Sequence, residues 1–244
     1  MTGSKTRGVE RLAAAALVAA AVAAAGCGGG VRPAAAPAGR EAVRTPAAHA
    51  PDDTPVGFRL HRSAEGGVSL ALPLGWLALA GPDARYPGVI QTLTGTHRAF
   101  LPYLLALASP GSPLKLFGWD TASSRARPST VSVQLVLSTA PGPYSRWARK
   151  ALRSLAAAKT LRGRLDARRA DLPAGPALRV EFARSDGDRV LLYVVSAGGG
   201  LWAVAFAAPP GAAGRDSWDR AAATLALTRP VGGPRIAGGT QITE

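Results

Sequence analysis

Three neighbouring apolar runs set the fold class. Ala177–Arg184, Arg189–Ser196 and Leu201–Ala207 are separated by the tetrads Ser185-Asp186-Gly187-Asp188 and Ala197-Gly198-Gly199-Gly200. Asp-Gly and Gly-Gly supply the positive φ that tight hairpins require, so the stretch reads as a three-stranded antiparallel meander. Gly57–Arg62 and Gly67–Leu72 read as a further pair around Ser63-Ala64-Glu65-Gly66, with Val68, Leu70 and Leu72 on one face. Pro73-Leu74-Gly75 breaks that run, and Trp76–Ala80 resumes as an extended piece. Leu114–Trp119 and Thr130–Ser138 are strands, the second with Val131, Val133, Leu135 and Leu137 on one face. Pro87–Ala108 is mostly helix-like, with Val89, Leu93, Phe100, Leu104 and Leu107 as candidate buried residues and Pro102 expected to kink or split it. Tyr144–Ala158 is a helix, and Pro173–Gly175 a turn. A last helix is expected from Asp216 to Leu227, with Trp218, Ala221, Ala222 and Leu225 at i, i+3, i+4 and i+7. The order predicts a single α+β domain over residues 57–229, an antiparallel β-sheet flanked by helices.

The ends differ from this middle. Lys5, Arg7 and Arg11 precede an uncharged apolar run over residues 12–25, and Gly26, Cys27 and a glycine run follow. A basic start, a short apolar stretch and small residues form a secretory signal peptide over residues 1–26. As a helix the apolar run spans about 21 Å, short of the roughly 30 Å hydrocarbon core. Ala24-Ala25-Gly26-Cys27 resembles the bacterial lipobox, in which diacylglycerol is joined to the cysteine thiol and cleavage leaves that cysteine first. A branched aliphatic is usual three residues before the cysteine, and here Ala24 stands there. The alternative is an ordinary signal cut near Ala23-Ala24-Ala25. Cys27 is the only cysteine, so no intrachain disulfide or cysteine-built zinc site can form. Residues 27–56, rich in Ala, Pro and Gly, read as a disordered tether with about 30 Å of reach. Residues 230–244 read as a disordered tail.

Gly67-Val68-Ser69-Leu70-Ala71-Leu72-Pro73-Leu74-Gly75-Trp76 resembles the opening hairpin of PsbP/Mog-type domains, where an alternating strand ends in Pro-x-Gly-Trp. The strand Lys115–Asp120, the meander and the closing helix are similar in order, so the resemblance covers about residues 57–229. It implies an α/β/α sandwich and, for many exported bacterial members, a lipoprotein. It implies no shared catalytic motif.

Candidate chemistry is sparse. Gly67-Val68-Ser69-Leu70-Ala71 approaches a nucleophile-elbow pattern but lacks the final glycine and lies mid-strand, with His61 on the neighbouring strand. A surface serine is the expectation. Asp186-Gly187-Asp188 lacks the glutamate of a calcium loop, because the twelfth position is Ala197. Gly198-Gly199-Gly200 has no Walker lysine. Asp216 and Asp219 suit the dipole of the last helix, and Asp120 fits a surface turn. No catalytic residue, metal site or cofactor is implied.

The charge is the remaining signal. The chain carries 29 basic and 15 acidic residues, a net +14. Removing residues 1–26 takes three basic and one acidic residue and leaves +12. Arg146, Arg149, Lys150, Arg153, Lys159, Arg162, Arg164, Arg168 and Arg169 cluster around a single acid, Asp166. On the Tyr144–Ala158 helix, Arg146, Arg149, Lys150 and Arg153 follow i, i+3, i+4 and i+7, a basic stripe beside the apolar Trp147, Ala148, Ala151, Leu152 and Leu155. A solvated helix face, contact with anionic lipid or wall polymer, and nucleic-acid binding are the three readings. Export and the lack of a nucleic-acid motif argue against the last. The expected protein is an envelope lipoprotein on the outer face of the cell membrane, acting as a non-catalytic ligand- or partner-binding or assembly module. An exported enzyme with a dispersed site and a structural anchor are the alternatives. A sheet–helix cleft near Trp76 and Trp119 is one possible binding surface, against core packing of both.

Overall fold

A computed structural model describes residues 54–63, 65–80, 100–109, 111–122, 127–139, 141–158, 161–212 and 214–229. The expected signal peptide, Cys27, most of the tether and the tail at 230–244 lie outside the described residues, as do Val89, Leu93 and Lys159.

The strands are β1 (Phe58–Ser63), β2 (Val68–Pro73), β3 (Trp76–Ala80), β4 (Leu114–Asp120), β5 (Thr130–Leu137), β6 (Leu161–Leu172), β7 (Gly175–Arg184), β8 (Arg189–Ala197), β9 (Gly200–Ala208) and β10 (Ala226–Leu227). The helices are α1 (Leu101–Ala108), α2 (Tyr144–Ala156) and α3 (Arg215–Ala222). They form two antiparallel sheets, a small one of order β1-β2-β10 and a large one of order β3-β4-β5-β9-β8-β7-β6. The expected single sheet is thus divided. Pro73-Leu74-Gly75-Trp76 makes the transfer: Gly75, at φ 91°, turns the chain from β2 in the small sheet to β3 in the large one. Leu74 N–H donates to Gly57 O and Thr121 N–H to Gly75 O, both at 2.8 Å.

The meander holds the centre. The 198–199 turn has Gly198 at φ 56° and Gly199 at 73°, the two positive φ values of a tight hairpin. β9 is buried along its whole length, because both faces of the large sheet are covered. On one face α2 buries Trp147, Ala148, Ala151 and Leu155 against Leu178, Val180, Leu192, Val194, Leu201 and Ala203. Beside it α1 packs Phe100, Tyr103 and Leu107 on Phe117 and Trp119 of β4, with Tyr103 stacked on Phe117 at 4.3 Å between ring centroids. On the other face Val68, Leu70 and Leu72 of β2 and Trp218, Ala221 and Ala222 of α3 meet Leu191, Tyr193, Trp202, Val204 and Phe206.

Pro102 lies in the first turn of α1, where its missing N–H costs nothing; residues 87–99 of the expected helix lie outside the described residues. Two expectations change. The last helix stops at Ala222. Thr224 Oγ1 accepts the Ala71 N–H at 2.8 Å, and Ala226 and Leu227 then pair with β2, so the i+7 residue Leu225 is buried from a turn. The largest omission is β6, a strand of 12 residues at the edge of the large sheet. Both its faces are largely exposed, so its sequence carries no apolar alternation to find.

Candidate functional site

The sequence places the basic stripe on α2, and the packing there decides what it can do. The helix follows Pro143, whose extended backbone delivers the chain into the first turn. Small side chains at Ala148 and Ala151 let the helix approach the sheet, and Trp147 and Leu155 fill the space on either side. At about 100° per residue the stripe is centred almost opposite this buried set. Arg146, Arg149 and Arg153 are exposed and Lys150 is half-buried. Arg149 Nε donates to Ser145 O at 3.0 Å. Among the described residues, none of the four lies within 4 Å of a carboxylate. Arg153, in the last turn, also complements the helix dipole.

The other described members of the basic cluster, on β6, divide between the two faces of the large sheet. Because β6 is a strand, successive side chains alternate sides. Arg169 stands on the α2 side, its guanidinium carbon 5.3 Å from the Tyr144 ring centroid, and Tyr144 meets Trp147 edge-on at 4.8 Å. Arg169 also pairs with Asp171 at 3.2 Å, an exposed contact that water screens. Arg168 registers with Arg179, and Arg162 with Ala183, on the other face. A bulge between Arg162 and Asp166, with Gly163 at φ 79°, bends β6 there. An open groove of about 250 Å³ lies against it, lined by Arg164, Asp166, Glu181, Phe182, Ala183 and Arg189.

A second charged cluster joins α3 to the large sheet. The Arg179 side chain on β7 is only 3% exposed. Its Nε and Nη2 donate to the two oxygens of Asp219 at 3.0 and 3.1 Å, and Glu181 lies 3.6 Å from Nη1. The Tyr193 hydroxyl also donates to Asp219. Burial alone would raise the Asp219 carboxyl, but hydrogen bonds from Arg179 and Tyr193 and the nearby Arg179 and Arg168 charges outweigh it and hold it below the usual carboxylate range. Burial first, and then the Asp219 carboxylate, push the Tyr193 hydroxyl well above its ordinary value. Asp219 therefore does more than complement a helix dipole; it ties α3 to β7 and β8. Arg179 and Tyr193 carry no local motif, and only the strand register brings them to Asp219.

Other candidates resolve into structure. Ser185-Asp186-Gly187-Asp188 is the expected turn, with Gly187 at φ 90°. Arg127 reaches Asp186 at 3.1 Å and Asp188 at 2.6 Å, and Arg184 pairs with both acids. Two guanidinium groups thus occupy the carboxylates that calcium would need. Asp120 accepts the Ala122 N–H at 2.9 Å, an Asx-type turn. Ser69 is not a simple surface serine: its Oγ is buried with no hydrogen-bond partner among the described residues. Ser69 registers with Arg62, and His61 with Leu70, so serine and histidine face opposite sides of the small sheet and form no dyad. Trp119 is buried under α1, while Trp76 packs toward the other core; the two do not line one cleft. Among the described residues there is no group of three potential metal ligands, and no helix is long and apolar enough to cross a membrane.

Comparison with known proteins gives neither a matching family model nor a matching curated protein. Among solved structures, the cyanobacterial PsbP protein CyanoP from Synechocystis sp. is similar at a TM-score of 0.40 and 13% identity, over 72% of this chain and 95% of that one. A protein of unknown function, PA94 from Pseudomonas aeruginosa, is similar at a TM-score of 0.31 and 13% identity, over 72% of this chain and 98% of that one.

Proposed function

We propose that the chain is an envelope lipoprotein, held on the outer face of the cell membrane through lipidated Cys27, whose α+β domain is a non-catalytic binding module of the PsbP-like, α/β/α type. The observation that carries the binding role is the α2 face. Three exposed cations and one half-buried cation share it, and among the described residues none of them lies within 4 Å of a carboxylate, so their field is available to an anionic partner. The anchor rests on the apolar run over 12–25 and on Cys27. Two acyl chains give stable anchoring where one gives only marginal binding.

Cell fractionation of Cys27→Ala, with a labelled fatty acid in the medium, tests the anchor. The parent protein is expected in the membrane fraction and acylated. The variant is expected in the medium and unlabelled. Unchanged membrane retention of the variant would remove the lipoprotein reading.

A further inference from the structure

Resting on that reading, we infer that the face formed by α2 and Arg169 of β6 lies on anionic phospholipid headgroups and so fixes which side of the domain faces the bilayer. The fold adds a feature that the helix alone lacks. Arg169, from a different element, stands over Tyr144 at the start of α2 on the same side of the large sheet and pairs with Asp171 at 3.2 Å, so the sheet edge adds a guanidinium at the rim of the array but no net charge. α2 has 13 residues and is about 20 Å long, which spreads its four cations along a line. Such an array suits a layer of headgroups.

The contact is electrostatic and not insertional. Trp147 and Leu155 of α2 are buried in the core and Leu152 is half-buried against it, so the helix has no free apolar face to bury in acyl chains. Each cation near an anionic leaflet is worth about fivefold in affinity. A flexible tether over residues 27–56, as the sequence leads one to expect, would keep the domain where such weak contacts act together. The opposite side of the large sheet is covered by the small sheet and α3. Its exposed arginines, Arg59, Arg62 and Arg220, would face away from the membrane.

Arginine footprinting reads this orientation directly. The full chain is placed in lipid nanodiscs of phosphatidylcholine, with and without phosphatidylglycerol, labelled with an arginine-selective dicarbonyl reagent and mapped by mass spectrometry. Labelling of Arg146, Arg149, Arg153 and Arg169 is expected to fall about fivefold or more on the anionic discs and to recover in about 0.5 M salt, while Arg59, Arg62 and Arg220 stay unchanged. In the Arg146→Gln, Arg149→Gln, Arg153→Gln variant, Arg169 should lose its protection. Equal labelling on both discs would overturn the inference. So would protection that appears only when an anionic wall polymer is added to neutral discs, which would give the face to the polymer. Failure here leaves the Cys27 anchor standing, because the release of Cys27→Ala tests that separately.

Discussion

Asp219 shows how much of the molecule can depend on one side chain. It accepts from two of the three nitrogens of a buried guanidinium and from a tyrosine hydroxyl, on two strands. Removing it should be worse than removing its partner. Asp219→Ala strands the Arg179 charge, with only Glu181 left at 3.6 Å, and is expected to cost about 3 kcal/mol. Arg179→Met fills much of the same volume and leaves a carboxylate that water already reaches, so about 1 kcal/mol is expected. Urea unfolding of both variants checks the order, and a larger loss for Arg179→Met would contradict it. His61 makes a second residue-scale prediction. Its Nε2 is buried with no partner among the described residues, and burial first, then the Arg59 charge, lowers its pKa. The unfolded chain therefore binds the proton more readily than the folded one. Stability should be full above about pH 6.5 and fall as pH drops through that value toward the lowered one. Unfolding midpoints between about pH 7.5 and pH 5 should show this slope, and His61→Leu should flatten it. The Asp219 contribution is lost in a separate, more acid window that runs from the usual carboxylate value down through the lowered one, because its shift is downward.

Among the elements, legibility followed exposure. The meander was readable because each strand is apolar and each connection carries glycine, and α2 was readable because its buried and charged faces are opposed. β6 left no pattern because an edge strand with exposed faces needs none; its arginines protect an unpaired edge from further strand addition. The helical period runs past the end of the last helix because Leu225 fits it yet is buried from a turn, and Thr224 bonds to β2 where a helix would continue. That segment makes the element-scale prediction. Thr228 N–H donates to Gly67 O at 2.8 Å, and Gly67 has φ +66° with Thr228 O only 2.3 Å from where a Cβ would sit. Gly67→Ala must push this strand away or distort the turn and should cost more than about 2 kcal/mol. Gly199 has a similar φ of +73° but open space, so Gly199→Ala should cost only about 1 kcal/mol of backbone strain. Thermal unfolding distinguishes them, and equal losses would show that the close approach to Thr228 is not the cause.

For the molecule as a whole, the charge of +14 divides into parts with different roles. Arg179 and Arg184 are buried in ion pairs that hold the sheet. Arg127 pins the hairpin acids. The α2 stripe lies at another surface, with the Arg169–Asp171 pair at its rim, and the proposed binding role draws on the stripe. The stripe was legible because four charges at helical spacing need only a helix to align them. The participation of Arg169 and the exclusion of Arg162 and Arg168 from that face were not legible, because they depend on β6 being a strand in one particular register. Whether the surface meets a membrane depends on Cys27, so the mature protein's own amino terminus is the most direct measurement. Intact-mass and peptide mass spectrometry of the protein extracted from its native envelope should find a chain that begins at Cys27 and carries a thioether-linked diacylglycerol. A chain that begins elsewhere, with a free Cys27 thiol, would contradict the account.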